Sequence, residues 1–320
     1  MPTIAVIGEV VADAVLPPDG LAGGSATLTV HPGGGPANTA VTLARLGTTA
    51  RFAGRLSGGA LGSLCRAKLE ESGVDLSASE TATEPATLAI ARLDAGGAAS
   101  YEFYTDGTAD WAWTNESLAP VLDGPFPSGE LPVAVHTGSL ALALPPSGGV
   151  IEALLGRART SRPAPTVSID PNLRPLLVPV DAYRAVIDRW AALADIVRLS
   201  GDDLELLWPG WTPERAAAHL HRQGVPLAVV SLGGDGAFAS LRGERVTVPT
   251  APTQLVDTVG AGDSFHGGLL HALARQGRLG AGFADLDADG LTAALQFASR
   301  VAAITCSRPG ADPPWAAELA

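Results

Sequence analysis

Val256-Asp257-Thr258-Val259-Gly260-Ala261-Gly262-Asp263-Ser264-Phe265-His266-Gly267-Gly268 is the stretch on which the reading of this sequence turns. It follows an expected strand, Arg245 to Pro249, and opens a helix with Phe265, Leu269, Leu270 and Leu273 as apolar positions, ending near Gly277. Gly260-Ala261-Gly262 therefore stands at a helix N-terminus, where unpaired amides point outward and the helix dipole favours an anion. Small residues there let a phosphate approach the backbone closely. Asp263 sits at the same helix start. A carboxylate repels a neighbouring anion, so its presence makes sense if it takes a proton from a nucleophile attacking that phosphate. Capping the helix is the simpler role, and local chemistry leaves both open.

Upstream, Pro32-Gly33-Gly34-Gly35-Pro36-Ala37-Asn38-Thr39-Ala40 again places glycines before a helix, with Asn38 in its first turn. A dinucleotide fingerprint would need a third glycine where Asn38 stands and an acidic residue about 20 positions on. No Asp or Glu occurs between Gly20 and Leu69. A neutral turn carrying an amide that both donates and accepts suits a polyhydroxylated ligand better.

Composition narrows the classes further. The chain has 320 residues, 46% hydrophobic and 17% charged, enough for a large buried core, and 38 glycines. Of its 21 basic residues only Lys68 is lysine, and Cys65-Arg66-Ala67-Lys68-Leu69 is no Walker-type loop. Phosphate would have to be held by backbone amides and arginine. The net charge of −12 comes without a basic stripe or polybasic patch, which argues against nucleic-acid and membrane-surface partners. Cys65 and Cys306 form no metal or redox motif, and neither a signal peptide nor a membrane span is evident, so a cytoplasmic protein with reduced thiols is expected.

Short apolar runs alternate with helical patterns. Strands are expected at Thr3 to Ile7, Arg51 to Gly54, Val133 to His136, Thr166 to Asp170, Ile196 to Leu199 and Ala228 to Leu232. Helices are expected at Pro36 to Leu46, Leu61 to Ser72, Gly149 to Thr160, Val180 to Leu193 and Pro213 to Gln223, several stopped by glycine. This alternation predicts an α/β fold with a mostly parallel sheet covered on both faces. Val15 to Val30 and Thr87 to Tyr104 break the rhythm. The second alternates well around the turn Asp94-Ala95-Gly96-Gly97, and a small antiparallel sheet inserted into one large domain is expected.

Asp257-Thr258-Val259-Gly260-Ala261-Gly262-Asp263 resembles the C-terminal signature of the ribokinase-like (PfkB) carbohydrate kinases, and Gly33-Gly34-Gly35-Pro36-Ala37-Asn38 resembles their N-terminal signature. Order and separation match too. Asp170-Pro171-Asn172-Leu173-Arg174-Pro175 resembles a segment of the bacterial fructokinases. Gly8-Glu9 followed by Asp13, Tyr104 to Trp113 with Ala109-Asp110, and Leu232-Gly233-Gly234-Asp235-Gly236-Ala237 also have counterparts there.

The resemblance implies a three-layer ribokinase-like fold, with residues 1–12, 31–86 and 105–320 as the core and 13–30 and 87–104 as a small β lid. It implies transfer of the γ-phosphate of ATP to a primary sugar hydroxyl, with Mg2+ and a possible K+ requirement, and a homodimer formed through the lid. Asp263 would be the base, with the backbone of Gly260, Ala261 and Gly262 stabilising transferring charge and Arg174 near phosphates or sugar. Asp13, Gly34, Gly35, Asn38, Tyr104 and Asp110 would line the sugar. Arg198, Ser200, Ser231, Gly233, Gly236 and Gly262 would lie on the nucleotide side. Asp203 would face the metal, and Asp257 and Val259 a monovalent cation. Ordinary structural roles compete at many of these positions, such as a surface ion pair for Arg174 and a strand-end cap for Asp13.

Two departures stand out. Ser200 and Asp203 stand where the family usually has Asn and Glu, and Leu56-Ser57-Gly58-Gly59-Ala60-Leu61-Gly62 has no acid where Gly-x-Asp is usual. Trp111 and Trp113, two apart, would share one face if they lay on a strand. A kinase for another substrate (2-keto-3-deoxygluconate, ribose, inositol or a nucleoside) and a non-catalytic binding protein on the same fold are the alternatives.

Overall fold

In the computed structural model, which describes residues 2–17, 20–22, 24–93, 99–124 and 131–319, the apolar run Thr3–Ile7 forms strand β1, buried at every position. Its neighbours are β4 (Thr49–Ala53) and β7 (Ala134–Gly138), both parallel to it. Beyond β7 follow β8 (Thr166–Asp170), β9 (Ile196–Ser200) and β10 (Leu227–Ser231), again parallel. Two antiparallel strands, β11 (Ala237–Leu241) and β12 (Glu244–Val248), complete an eight-stranded sheet in the order β12-β11-β10-β9-β8-β7-β1-β4.

Side chains alternate across this sheet and build two cores. Ile4, Val6 and Phe52 pack with α1 (Gly35–Arg45), and in the same core Leu270 and Leu295 come from the helices Ala261–Arg275 and Ala288–Cys306. Ala5, Ile7, Val135 and Ile169 face the other way, toward Ile151, Ile187 and Leu220 of the helices Ser147–Thr160, Val180–Ala191 and Pro213–Arg222. Continuous apolar strands buried on both faces are what a parallel sheet between two helix layers demands. Thr212 caps the last of these helices through its side chain, with proline at its start.

The interruptions in the pattern form a second sheet. Strands β2 (Val11–Leu16), β3 (Thr29–Gly33), β5 (Leu88–Leu93) and β6 (Ala99–Tyr104) stand in the order β6-β5-β2-β3. The expectation of an antiparallel sheet is half right. The two hairpin pairs are antiparallel, but β2 and β5, which join them, run parallel with Ala12 opposite Leu88. These strands enter the sheet from the core at the same end, so parallel pairing follows. The turn expected at Asp94-Ala95-Gly96-Gly97 lies outside the described residues. Trp111 and Trp113 are not on a strand. Trp111 closes a 3-10 turn, Ala109–Trp111, and both indoles are buried, with their N–H groups on the carbonyls of Thr105 and Asp110.

Among the described residues, no helix is long and apolar enough to cross a membrane. Both cysteines are free, and burial pushes the Cys65 thiol up to about 12, which makes it unreactive.

Candidate active site

Because β1, β7, β8, β9 and β10 are parallel, their C-terminal ends share one edge, where ligands of open α/β sheets bind. Helix α2 (Ala261–Arg275) starts at that edge. Its N-cap, Gly260, is left-handed with φ 73°, and a Cβ there would collide with Ala311. Glycine is needed for both reasons. No side chain caps this helix, so its first turn remains open to an anion. Asp257 ties the preceding loop down, with its carboxylate accepting the N–H of Val259 at 3.1 Å and that of Gly310 at 2.7 Å.

Asp263 occupies the third helical position, and the capping role left open by the sequence is not realised. Its Oδ2 instead accepts the amide of Asn38, 225 positions away in sequence, at 2.8 Å. The two glycine-led helix starts thus meet through these side chains. A Cβ on Gly35 would lie 3.3 Å from Asp263 Oδ1 and 2.7 Å from the Asn172 amide nitrogen, so only glycine admits both groups. Burial holds the Asp263 carboxyl above its usual range, against the opposing pull of Asn38, Arg174 and Arg198.

Beneath this turn lies Arg198, 4% exposed. It pairs with Asp170 at 2.8 Å, donates to the Ser231 hydroxyl, and sits so close to Gly262 that a Cβ there would meet its Nη2 at 2.8 Å. The expected nucleotide ligand is therefore a buried ion pair placing positive charge behind the first turn of α2. Buried His136, Ser168 and His266 extend the polar layer, with Ser168 Oγ at 3.2 Å from His136 and 2.6 Å from His266.

Other expected residues are distributed unevenly. Asp13, on β2, is pushed up to about 6 by burial, with the Arg174 charge opposing and the Asp263 charge adding. The exposed guanidinium of Arg174 donates to the carbonyls of Leu173 (3.0 Å) and Asn172 (3.4 Å), while its backbone N–H donates to Tyr183. Gly233 and Gly234 are exposed just past β10, whereas Gly236 packs against the carbonyl of Val248. Gly34 is the N-cap of α1, and Val259 is 51% exposed.

Two expectations need correction, those for Asp203 and Asp110. Asp203 is no free metal ligand. Its Oδ2 accepts the backbone and hydroxyl of Ser200, and its Oδ1 accepts the N–H of Leu173 at 2.9 Å. Ser200 is the other half of that capping box. Asp110 is 1% exposed and both of its oxygens are engaged by protein groups, so it offers nothing to a sugar. Tyr104 is 53% exposed, with its hydroxyl 3.3 Å from Glu102 on its own strand.

Three contributors received no role from the sequence, although Glu9 and Asn172 stand in stretches that resemble the family's. Glu9 is 1% exposed, accepts the N–H of Ala141 at 3.0 Å, and is raised above its usual range by burial. Ser139 and Asn172 hold left-handed backbones, φ 54° and 42°, and both lie close to Gly35. Such strain gathers at functional sites, but no pattern of residue types announces it.

A family model described as pfkB family carbohydrate kinase matches residues 1–318. The chain belongs to the PfkB family of carbohydrate kinases. A fructokinase of Rhizobium leguminosarum bv. trifolii is 35% identical over 244 residues, 76% of this chain and 72% of that protein. The fructokinase of Xylella fastidiosa with bound ATP shares the fold at TM-score 0.83 and 27% identity, covering 97% of this chain and 93% of that one. A double-mutant fructokinase of Vibrio cholerae O395, in a form with fructose, ADP and potassium ion bound, has TM-score 0.80 and 27% identity over 97% and 94% of the two chains. This PfkB chain is thus a sugar kinase with the ribokinase-like α/β fold, fructokinase-like along most of its length.

The buried carboxyls of this kinase carry a stability signature. Asp13 is raised to about 6 and Asp110 to about 7, both chiefly by burial. A carboxyl with a folded pKa above its unfolded one stabilises the fold in full below the unfolded pKa, and that stability is lost as pH rises through the folded value. Without ligands, the thermal midpoint is expected to fall more steeply between about pH 5 and pH 8 in wild type than in Asp110→Asn. His136, His266 and His271, held below their usual range by burial, pull the other way equally in both chains and cancel from the comparison. A wild-type midpoint that falls no more steeply than that of Asp110→Asn would contradict the assignment.

Proposed function

We propose that this chain is an ATP-dependent fructokinase that moves the γ-phosphoryl group of ATP to a primary hydroxyl of the sugar. The observation that carries the reading is Asp263, oriented by Asn38 through one oxygen, at an uncapped helix N-terminus with the Arg198 charge beneath it. Its Oδ1 would take the hydroxyl proton as the sugar oxygen bonds to phosphorus and the bond from phosphorus to the bridging oxygen of ADP breaks. First-turn amides and Arg198 would stabilise the charge on the equatorial oxygens. A raised carboxyl suits proton acceptance near neutral pH. Asp13, beside β3 and near the Asp263 charge, would orient the sugar, and closure of the small sheet would exclude water.

Among the described residues no group of three or more His, Cys, Asp or Glu could hold a metal ion. Mg2+ would therefore be carried by nucleotide phosphate oxygens and water, its usual preference, and would supply charge neutralisation. Potassium would be met at Asp257, whose oxygens each keep a lone pair after accepting one N–H. The same reading puts the kinase in the cytoplasm, and Tyr101 and Tyr104, exposed on edge strand β6, support pairing with a second copy. Sedimentation as a monomer would remove that part.

The experiment is a comparison of kcat/KM for ADP release across fructose, ribose, 2-keto-3-deoxygluconate, inositol and nucleosides. Fructose should lead. A higher value for any other acceptor would transfer the assignment to it. Arg174→Ala is expected to lower kcat/KM about tenfold by removing an exposed positive charge near Asp13 and Asp263. Unchanged constants for sugar and nucleotide would take Arg174 out of the site.

A further inference from the structure

Among the described residues the chain passes between the large and small sheets four times, at residues 8–10, 34, 85–87 and 105–109. Three of these passages converge on one buried carboxylate. Asp110 Oδ1 accepts the N–H of Val10 at 2.9 Å, at the entrance to β2. Its Oδ2 accepts the hydroxyl of Thr87 at 2.6 Å, at the entrance to β5. Asp110 itself follows the return from β6, where the Thr108 hydroxyl lies 2.7 Å from that of Thr87 and 2.8 Å from the Thr105 carbonyl. The backbone repeats the pattern, with the N–H of Ala12 on the Thr87 carbonyl and the N–H of Ala109 on the Pro85 carbonyl, both at 2.9 Å. Arg55 fastens the outside of the junction, donating to the Ala109 carbonyl at 3.0 Å and pairing with Glu80 and Glu84.

We propose that Asp110 is the pin of the small sheet's hinge, a positioning residue that fixes where β2 delivers Asp13 over the sugar. This deepens the proposed kinase reading and rests on the small sheet closing over the substrate. Asp13 lies three residues past the pinned amide of Val10 and directly opposite Ala89, two residues past the pinned Thr87. A loose junction would displace Asp13 with no loss from the nucleotide side, which is built on the other strands. Burial raises the Asp110 carboxyl to about 7, so hydrogen bonding rather than full charge is what the junction needs. An asparagine amide can supply it, accepting from Val10 and donating to Thr87, whose own proton turns to Thr108.

The test compares Asp110→Ala, Asp110→Asn and Thr87→Val by sugar kinetics, nucleotide titration and amide hydrogen exchange. Asp110→Ala is expected to raise KM for the sugar about tenfold or more, with ATP affinity in the absence of sugar within about twofold. It should also speed exchange at Val10 and Ala12 while β7 to β10 stay protected. Thr87→Val should move the same quantities less, and Asp110→Asn should restore sugar KM to within a few-fold. Equal losses in the Asn and Ala variants would overturn the proposal, since they would mean that the carboxylate itself binds sugar. So would wild-type exchange at Val10 in Asp110→Ala. If Asp110→Ala does not fold, Thr87→Val against wild type takes its place: faster exchange at Val10 and Ala12 supports the pin, and unchanged exchange there overturns it. Hydrogen exchange needs no turnover, so a wild-type chain that releases no ADP would sink the kinase reading alone.

Discussion

Asp263→Asn is expected to lower kcat by about 10³–10⁴, at the upper end of what a general base contributes, while ATP affinity changes by no more than about threefold. The asparagine is nearly the same shape and keeps an oxygen for the Asn38 amide, so the turn should hold. What disappears is the proton acceptor at Oδ1, the oxygen beside Gly35. Nucleotide binding should persist because the amides of α2 and the Arg198 charge remain, and losing a carboxylate beside phosphate removes a repulsion. The wild-type pH profile belongs to the same prediction. The base works only when ionised, so kcat/KM should fall as pH drops through the Asp263 pKa, which burial raises. Rapid-quench and steady-state measurements check both parts. Residual turnover above about a tenth of wild type would assign the base elsewhere.

Arg198→Met is expected to destabilise the fold by about 3–5 kcal/mol, because removing one partner of a buried ion pair strands the other. Asp170 is 5% exposed, and its Oδ1 has no hydrogen-bond partner even now. The same substitution withdraws positive charge from behind Gly262, and kcat should fall by about 10² or more in whatever fraction folds. Arg198→Lys separates the two effects. It keeps the charge but cannot span Asp170 and Ser231 with a planar fork, so it should recover more activity than stability. Urea unfolding alongside single-turnover rates gives the comparison. A methionine variant as stable and as fast as wild type would remove the ion pair from both roles.

Arg198 also marks where reading the sequence stopped. Two residues before Ser200, it looked like part of a nucleotide edge. Its partner Asp170 is 28 positions away on a neighbouring strand, and pairing across a sheet depends on register, which no local pattern reveals. Asp110 failed for a related reason. Its contacts reach back to Val10 and Thr87, so a carboxylate beside the lid read as a sugar ligand when it is folded into the junction. Trp111 and Trp113 show a period of two without a strand, because Trp111 ends a 3-10 turn and Trp113 follows in irregular chain, both reaching the core.

Much else was legible because the signals were local. Buried apolar strands, a capping Thr212 and the left-handed glycines after helices set the boundaries of the expected core strands and helices to within about two residues. Helix Ala288–Cys306 and strand β11, by contrast, were not expected, and β2 begins at Val11, before the segment from Val15. The glycine runs at Gly33 to Gly35 and Gly260 to Gly262 located both halves of the site, since each opens a helix. Their meeting through Asn38 and Asp263 followed only from the fold, as did the strained Ser139 and Asn172.

The central claim is that this constellation transfers phosphate to a sugar hydroxyl. It is tested most directly by phosphorus NMR of the wild-type chain with ATP, Mg2+ and fructose. A phosphomonoester on a primary carbon of the sugar should appear one-for-one with ADP. Fructose and ATP that each raise thermal stability, yet yield neither ADP nor sugar phosphate, would show a binding protein on a kinase fold and contradict the claim.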